Sequence, residues 1–556
     1  MMTMNSEDLQ KLIKAEEEWK KSFKVGSKGP VMSDDLEIKI KPIYTPADVK
    51  DLDYMDNLGF PALYPFTRGP YAEMSRHGPW RYSVFSGFGT AEETNARWKI
   101  LYDAGQRSLN LAPDLPTHLG LDSDDPLAYE EVGRVGMAVD TIKDLEILFE
   151  GLPLDELPFS SNMESLAPII CAMYIAVAEK KGIPAHKLAG TLSNDSLSTA
   201  SGKQTVVFPL DKCVRLTSDL IEYCSKNMPK FYPVNIKGVN IREGGCNMVQ
   251  EIGFIFSFAC TYIDECLKRG LDIDEIAPKL SFFCCGGLHI FEEAAKYRAA
   301  RRLWGRLLKE KYGVHKRESM IFRFTSICNP REFHAEMPEI NLVRGACGII
   351  GAALGGSQGM LHPAYDETFA IPTEKSCLLA LASQQVIAEE SNITKTVDPL
   401  GGSYYVEYLT DLAEEKFAAK MKEVADYGGP IKAIEDGYIQ RQILENFIKE
   451  EKAINTGEKV VVGRNKYKVA QEETDMAVHV HNYDSTKKQI QRTLQVKAER
   501  DGSAVETSLE RLNSAARSGE NVMPYLIECA KNYASLGEMT GALQEVYGKY
   551  REPRII

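Results

Sequence analysis

The sequence has few of the features that mark secreted, membrane or nucleic-acid-binding proteins. Its 12 cysteines form no CxxC pair, which argues against a structural zinc site and against a disulfide framework. No run of about 18 uncharged apolar residues is present, and no apolar segment of a secretory signal follows the N-terminus. A net charge of −13 gives no electrostatic reason to bind nucleic acid. We therefore expect a cytoplasmic protein with neither a membrane nor a nucleic acid as partner.

Several standard catalytic motifs are also absent. There is no HExxH and no P-loop, which excludes the commonest zinc hydrolases and nucleotide-binding enzymes. The composition, 44% hydrophobic and 26% charged, is that of a protein with a large core. At 556 residues the chain is long enough for several domains or for an α/β barrel with additions.

Short apolar runs alternate with amphipathic segments of helical length over about 310 residues. The predicted strands are 82–88, 108–112, 157–161, 188–192, 234–239, 279–284, 320–325 and 358–362. The predicted helices are 91–104, 140–150, 163–181, 211–227, 247–269, 289–312, 339–354 and 374–391. Eight strands each followed by a helix favour a (β/α)₈ barrel, and an open doubly wound sheet is the alternative.

The barrel pattern divides the chain into three parts. Residues 1–80 form an N-terminal arm, extended and helical, which we expect to contact the partner and the ligand. Residues 81–395 form the barrel, and 396–556 form a C-terminal helical region. The charge-dense stretch 487–501 within that region is typical of a solvated helix face and also suits a partner contact.

Polar residues near the predicted strand ends have two interpretations each. His118 suits a structural hydrogen bond as well as a functional role. The acidic group Asp122, Asp124 and Asp125 matches no known cation loop, so capping and turn roles are favoured over a metal site. Glu243 and Glu367 each suit either a ligand contact or a local cap.

Eight strings of the sequence are more specific. They are YPFTRGPYAEM (64–74), GFGTAEETN (87–95), AGQRSLNLAPDLPTHLGLDSDDP (104–126), GTLSND (190–195), LDIDEIAPKLSFF (271–283), RAARRLW (298–304), ALGGSQ (353–358) and VDPLGGSYYVE (397–407). In order and in spacing, these strings resemble the large, substrate-binding chain of adenosylcobalamin-dependent acyl-CoA mutases, the methylmalonyl-CoA mutase family. The resemblance extends over roughly residues 40–550.

The resemblance implies an isomerase in which a barrel threaded by coenzyme A supports a radical rearrangement of the acyl carbon skeleton. The cofactor carries out the difficult chemistry, which explains the absence of a nucleophile or a metal triad. Positions implied to contact substrate or CoA are Tyr71, Met74, Arg81, Thr191, Ser193, Lys230, Lys279 and Ser281. Glu243 and Glu367 are implied to face the adenosyl group and the corrin ring.

The sequence departs from the methylmalonyl-specific pattern at the positions implied to be catalytic. The family's tyrosine wedge is Phe85, its carboxylate-binding arginine falls at Lys203 with Gln204 adjacent, and its thioester-binding histidine is Asn240. Other departures are Ser193 for a glutamine, Thr325 and Ile327 for a HxQ pair, and Ala112 for the aspartate of a hydroxyacyl-specific branch. These changes predict a pocket that is less ionic and roomier.

None of the nine histidines lies in a DxHxxG string, the cobalt-ligating signature of the family's cobalamin-binding domains. We therefore expect a separate small cobalamin-binding subunit, in a heterodimer or heterotetramer. The expected substrate is an acyl-CoA other than methylmalonyl-CoA, such as isobutyryl-, hydroxyisobutyryl- or alkylsuccinyl-CoA. Two alternatives are methylmalonyl-CoA mutase proper and a non-catalytic structural subunit of a mutase heterodimer.

Overall fold

A computed structural model of the chain describes residues 5–25, 29–33, 35–203, 205–469 and 478–554. Within these residues, no helix combines the length and the apolar character that crossing a membrane requires. The strands are β1 (Val31–Ser33), β2 (Ile38–Ile40), β3 (Arg81–Ser83), β4 (Leu109–Leu111), β5 (Phe159–Ser161), β6 (Gly190–Leu192), β7 (Phe231–Tyr232), β8 (Val234–Lys237), β9 (Leu280–Gly286), β10 (Phe324–Cys328) and β11 (Gly359–Leu361).

Helices follow nearly every strand from β3 onward and predominate in the described part of the C-terminal region. They are α1 (Ser6–Ser22), α2 (Ala91–Asp103), α3 (Leu115–Leu119), α4 (Ile142–Leu148), α5 (Ala167–Lys180), α6 (Ser196–Gly202), α7 (Leu210–Asn227), α8 (Gly238–Glu243), α9 (Met248–Lys268), α10 (Ile273–Ile276), α11 (Ile290–Tyr312), α12 (Asn341–Leu354), α13 (Glu374–Glu390), α14 (Tyr404–Tyr427), α15 (Pro430–Glu435), α16 (Tyr438–Thr456), α17 (Tyr483–Glu499), α18 (Gly502–Ser518), α19 (Met523–Lys531) and α20 (Leu536–Tyr547).

The fold is mixed α/β with parallel sheets. One sheet has the order β3-β11-β10-β9-β8 and the other β4-β5-β6-β7, and every pairing within them is parallel. Each of the eight predicted strands overlaps an observed strand, and each predicted helix overlaps an observed helix. The prediction of alternating strands and helices is therefore confirmed.

The two sheets adjoin each other at both edges. Strands β7 and β8 are separated only by Pro233, which has no N–H to donate. The residues before this proline pair with β6, and those after it pair with β9. At the opposite edge, Ser86 and Leu111 form a parallel bridge between the chain leaving β3 and strand β4.

Helices cover the outer faces of the strands and bury two large apolar clusters. Helix α5 is apolar around its whole circumference because it lies between the strands and α19. Helices α9, α11 and α14 pack together in the other cluster. The hairpin β1–β2 in the N-terminal arm was not predicted; its two strands have only three residues each.

A row of buried arginines on α11 fixes the N-terminal arm and the C-terminal region to the strand-bearing part. Arg298 pairs with Asp398 and with Glu407, the latter at 2.6 Å. Arg301 donates to the carbonyls of Phe66 and Thr67 at 3.0 and 2.7 Å. Three of the strings that carry the resemblance, 64–74, 298–304 and 397–407, thus meet in one ion-paired junction.

Candidate functional site

A cavity of about 230 Å³ lies among the strands of both sheets. Short polar side chains and glycines supply most of its wall, where parallel sheets usually present valine, isoleucine and leucine. These residues are Ser83, Ser108, Asn110, Ser160, Ser161, Asn162, Gly190, Thr191, Ser193, Asn235, Thr325 and Gly359. Because these side chains are short, they leave room for a slender ligand between the strands.

The cavity extends from the amino ends of the strands to their carboxyl ends. At the amino ends it is lined by two exposed cations, Arg81 at the start of β3 and Lys230 just before β7. At the carboxyl ends it is lined by Phe85, Phe283 and Leu361. One end is therefore positively charged and the other apolar.

The apolar end is a defined cluster of side chains. The ring of Phe85 meets that of Phe283 edge to face, with centroids 6.2 Å apart. Both pack with Val239, Ile327 and Leu361. Phe85 lines the cavity, whereas Ile327 belongs to this apolar cluster without lining the cavity.

Hydrogen bonds between side chains order part of the polar wall. Asn110 donates to the hydroxyl of Ser83 and accepts from the hydroxyl of Ser160. In contrast, Oδ1 of Asn235 and Oγ of Ser161 are buried and have no hydrogen-bond partner among the described residues. Such atoms cost free energy unless a ligand or water satisfies them.

Sequence reasoning did not single out Asn110 or Asn235. A usable signal was present, since each is a polar residue inside a short strand with apolar neighbours. Polar groups in such buried strands need a partner, and a ligand is one candidate.

The predicted catalytic residues lie around the carboxyl ends of the strands. Asn240 is buried on α8, directly after β8, and its amide lies 3.4 Å from the hydroxyl of Thr199. Lys203 ends α6 and is exposed, and it does not line the cavity. The adjacent Gln204 lies outside the described residues.

Glu243 and Glu367 lie at the same end of the strands, where α8 ends and after β11. Glu367 accepts a hydrogen bond from the N–H of Ala364 at 2.8 Å. Burial, with smaller contributions from the negative charges of Asp366 and Glu243, raises the pKa of Glu367 to about 8 although the hydrogen bond from Ala364 lowers it. Glu367 is therefore protonated near neutral pH, and it interacts electrostatically with Glu243.

The residues predicted to contact CoA divide into two groups. The structure brings Arg81, Thr191, Ser193 and Lys230 together in the cavity wall. Ser193 donates to Oδ1 of Asn162 at 3.0 Å, so its hydroxyl is oriented by a second wall residue.

The other predicted contacts do not line the cavity. Tyr71 is exposed on the N-terminal arm, and Met74 lines a separate small cavity that also contains Arg301. Lys279 donates its ammonium protons to the carbonyls of Met228 and Pro229, at 3.1 and 2.8 Å. Ser281 donates to the carbonyl of Val234 at 3.0 Å, and its Oγ lies 3.4 Å from that of Thr191.

A buried ionic group behind the carboxyl end of the cavity was not predicted. Nζ of Lys237 donates to Oε1 of Glu164 at 2.6 Å, and Nζ of Lys203 lies 3.9 Å from the same oxygen. Nδ1 of His118 lies 2.9 Å from Oε2 of Glu164, although the contact does not have hydrogen-bond geometry. His118 therefore contacts a carboxylate, a partner that its sequence context did not indicate.

Two acidic groups outside the cavity make structural contacts. Asp122 accepts from Ser535 and from the N–H of Gly537, at 2.5 and 2.7 Å, which agrees with the capping and turn role that was favoured. Asp35, His289 and Glu292 place ligand atoms within 4.8 Å of one another. A hydrogen bond to Asp35 raises the pKa of His289 to about 9, so this imidazole is protonated and suits an ion pair rather than a metal.

Comparison with known proteins places these features in context. The family model described as methylmalonyl-CoA mutase matches residues 33–549. The 2-hydroxyisobutanoyl-CoA mutase large subunit of Aquincola tertiaricarbonis is 39% identical over 521 residues, covering 93% of this chain and 92% of that protein. Methylmalonyl-CoA mutase of Cereibacter sphaeroides is 38% identical over 514 residues, with 92% and 72% covered. The human mitochondrial methylmalonyl-CoA mutase is 35% identical over 515 residues, with 92% and 68% covered.

Proposed function

The chain belongs to the methylmalonyl-CoA mutase family, a family of isomerases, and we propose that it is the substrate-binding subunit of an adenosylcobalamin-dependent acyl-CoA mutase. The reaction is a carbon-skeleton rearrangement of a CoA thioester. The proposed substrate has an acyl group other than methylmalonyl, for which isobutyryl-, hydroxyisobutyryl- and alkylsuccinyl-CoA are the candidates.

The observation that carries this proposal is the polarity of the cavity along its length. Coenzyme A has an anionic phosphate end, a slender amide-containing arm and an acyl group at its far end. The cavity offers cations at the amino ends of the strands, a polar wall between them and an apolar cluster at the carboxyl ends. The two sets of properties match in the same order.

The chain's own residues bind and orient the thioester. Arg81 and Lys230 attract the phosphates, and the unpartnered Oδ1 of Asn235 accepts an amide N–H of the arm. Phe85 and its apolar neighbours enclose the acyl group and exclude water from it. Asn240 donates to the thioester oxygen; a neutral amide suits this role because the rearrangement needs no full proton transfer.

The carboxyl ends of the strands also fit the cofactor. Glu367 is protonated near neutral pH and Glu243 is exposed beside it, so this face offers both a donor and acceptors to the hydroxyl groups of an adenosyl moiety. Adenosylcobalamin, when bound, supplies the organic radical that starts the rearrangement. We propose that a separate small subunit binds most of the cobalamin, in a heterodimer or heterotetramer. The printed name of the Aquincola relative, a large subunit, supports a partner.

We further propose that the two sheets form one closed (β/α)₈ barrel. The pairing of β7 with β6 and of β8 with β9 joins the sheets at one edge, and the Ser86–Leu111 bridge joins them at the other. A reducing cytoplasmic location is proposed as well, and the twelve free thiols support it.

The deciding assay reconstitutes the chain with its cobalamin subunit and compares kcat/KM for isobutyryl-, 2-hydroxyisobutyryl-, alkylsuccinyl- and methylmalonyl-CoA. A non-methylmalonyl thioester is expected to win by more than about tenfold, or 1.4 kcal/mol of transition-state stabilisation. A tenfold preference for methylmalonyl-CoA makes the protein methylmalonyl-CoA mutase proper. Binding of CoA and cobalamin without turnover of any thioester leaves the structural-subunit alternative.

A further inference from the structure

Glu164 and Lys237 form a buried ion pair directly behind the carboxyl end of the cavity. The side chains are 1% and 3% exposed, and Nζ of Lys237 donates to Oε1 of Glu164 at 2.6 Å. Removing one partner of an ion pair shielded from water in this way strongly lowers the stability of the protein, because the other charge is then buried alone. The pair therefore fixes both side chains.

The backbone around the pair is also fixed. Glu164 follows β5 with φ of +45°, a left-handed conformation that is unfavourable for a residue with a Cβ. Its N–H donates to the carbonyl of Ser193 at 2.7 Å, and the N–H of Lys237 donates to Oδ2 of Asp195 at 2.9 Å. The fold thus holds a carboxylate behind the cavity wall at a cost in local conformation, which is common at functional sites.

The carboxylate of Glu164 attracts two lysines at once. Nζ of Lys203, which the sequence places where the family has a carboxylate-binding arginine, lies 3.9 Å from Oε1 of Glu164. Burial raises the pKa of Glu164, but attraction by Lys237, Lys203 and His118 outweighs burial and holds it well below the usual value. Glu164 is therefore ionised at every pH at which the enzyme is expected to work.

The wall of the cavity itself lacks a positive charge at this end. Of the cavity-lining residues in the described part of the chain, the cations are Arg81 and Lys230, both at the amino ends of the strands. The carboxyl end presents Phe85, Phe283 and Leu361. A carboxylate brought there loses its hydration without gaining a cationic partner, which is strongly unfavourable.

We infer that Glu164 is a specificity-determining positioning residue: it holds Lys203 and Lys237 away from the cavity, so that the site accepts acyl-CoA thioesters whose acyl group carries no second carboxylate. The substrate class is then an acyl-CoA with an uncharged acyl group, which excludes alkylsuccinyl-CoA from the three candidates. This inference rests on the proposed function, because it assumes that the cavity receives an acyl-CoA with its acyl group at the carboxyl ends.

The test measures binding by the full chain, so that it does not depend on turnover. Dissociation constants of isobutyryl-CoA, methylmalonyl-CoA and free CoA are determined by calorimetry for the natural chain and for Glu164→Gln. The natural chain is expected to bind isobutyryl-CoA at least about tenfold more tightly than methylmalonyl-CoA. Glu164→Gln releases both lysines and is expected to shift this ratio at least about tenfold towards methylmalonyl-CoA.

Asp219→Asn is the matched control, since it removes a buried carboxylate paired with Arg269 that does not line the cavity. It is expected to lower stability and to keep the natural binding ratio. If Glu164→Gln does not fold, the double variant Glu164→Gln/Lys237→Met removes both charges of the pair and still frees Lys203, so the same shift is expected.

Each outcome decides a different claim. A natural chain that prefers methylmalonyl-CoA, or variants whose ratio stays within twofold of the natural one, overturns the role of Glu164. Absence of binding of all three ligands, free CoA included, overturns the proposed function and not only this inference. Equal shifts in Glu164→Gln and Asp219→Asn show a general structural effect and also overturn the assignment.

Discussion

The ring of Phe85 meets the ring of Phe283 edge to face, with 6.2 Å between their centroids, and the two together close the apolar end of the cavity. Phe85 follows β3 and Phe283 lies in β9, so the contact spans the cavity rather than joining neighbouring strands. The two rings limit the size of a group that can enter this end of the cavity.

Replacing Phe85 by alanine is expected to enlarge the acyl end and to loosen the position of a small branched acyl group. In the reconstituted enzyme, kcat/KM for isobutyryl-CoA should fall about tenfold to a hundredfold, because positioning of the reacting carbon is lost. The kcat/KM for a bulkier thioester such as 2-methylbutyryl-CoA should fall less. Phe60→Ala, in an exposed part of the N-terminal arm, serves as control and should change kcat/KM for neither thioester. Equal losses for both thioesters would contradict the assigned position of Phe85.

The raised pKa of Glu367 predicts that the stability of the protein depends on pH. Its pKa is raised to about 8 in the folded protein, against about 4.3 in an unfolded chain. Between these two values the unfolded state gives up the proton and the folded state keeps it, so the free energy of unfolding falls as pH rises from about 4.3 to 8 and is then level.

Glu367→Gln removes that dependence, because glutamine is neutral at all pH values. The variant should match the natural chain at about pH 4 and be more stable at about pH 9, as measured by urea unfolding at both pH values. Glu374→Gln, at an exposed position on α13, is the control and should show no such pH-dependent difference. A variant that is less stable at pH 9 would show that Glu367 is ionised in the native state.

Replacing Arg298 is expected to lower the stability of the protein strongly. Its guanidinium is fully buried and pairs with Asp398 and Glu407. Arg298→Ala leaves the buried carboxylate of Glu407 without a cation and leaves Asp398 with Arg68 alone, and it is expected to lower the free energy of unfolding by about 3–5 kcal/mol. Arg306→Ala, about two turns further along the same helix, removes a partly exposed pair with Glu414 and should cost at most about 1 kcal/mol. Similar midpoints of unfolding for the two variants would contradict the junction described for α11.

Reversing the charge of Lys230 is expected to weaken CoA binding in a salt-dependent way. Lys230→Glu reverses one of the two charges at the amino ends of the strands and is expected to raise the dissociation constant of free CoA about tenfold at low ionic strength. The effect should shrink severalfold in about 0.5 M salt, because exposed charges are screened. Lys226→Glu, in the preceding turn and paired with Glu222, tests the effect of charge alone and should change binding less. Equal effects of the two substitutions would place the phosphates elsewhere.

Much of the fold was predictable because its signals are local. The pattern of α11, an amphipathic segment that ends at Gly313, predicted 289–312 and the structure gives Ile290–Tyr312. Strand β10 shows where such signals fail: the apolar run 320–325 predicted a strand there, but Ile321 and Phe322 are buried without pairing and the strand begins at Phe324. Hydrophobicity reports burial, whereas a strand also needs a neighbour in register.

The site was less predictable because its charges are paired across long sequence separations. Glu164 and Lys237 are 73 positions apart, and nothing near either residue indicates the other. The resemblance implies a CoA contact for Lys279, and nothing in its local sequence indicates the two carbonyls to which its ammonium donates. Helix α17 is similar: the stretch 487–501 reads as a solvated face, but Gln489 and Thr493 are buried against Asp140. Pair partners of this kind are set by tertiary packing.

The hydrogen bond between Asp122 and Ser535 joins residues 413 positions apart. At a synthesis rate of about 5–20 residues per second, a ribosome needs about 20–80 s to add the intervening chain. During that time the loop around Asp122 is present in the nascent protein, but the residues that complete it do not yet exist. The first half of the molecule must therefore remain unaggregated while it waits, and a growing chain of this length is the kind of client for which chaperones are needed.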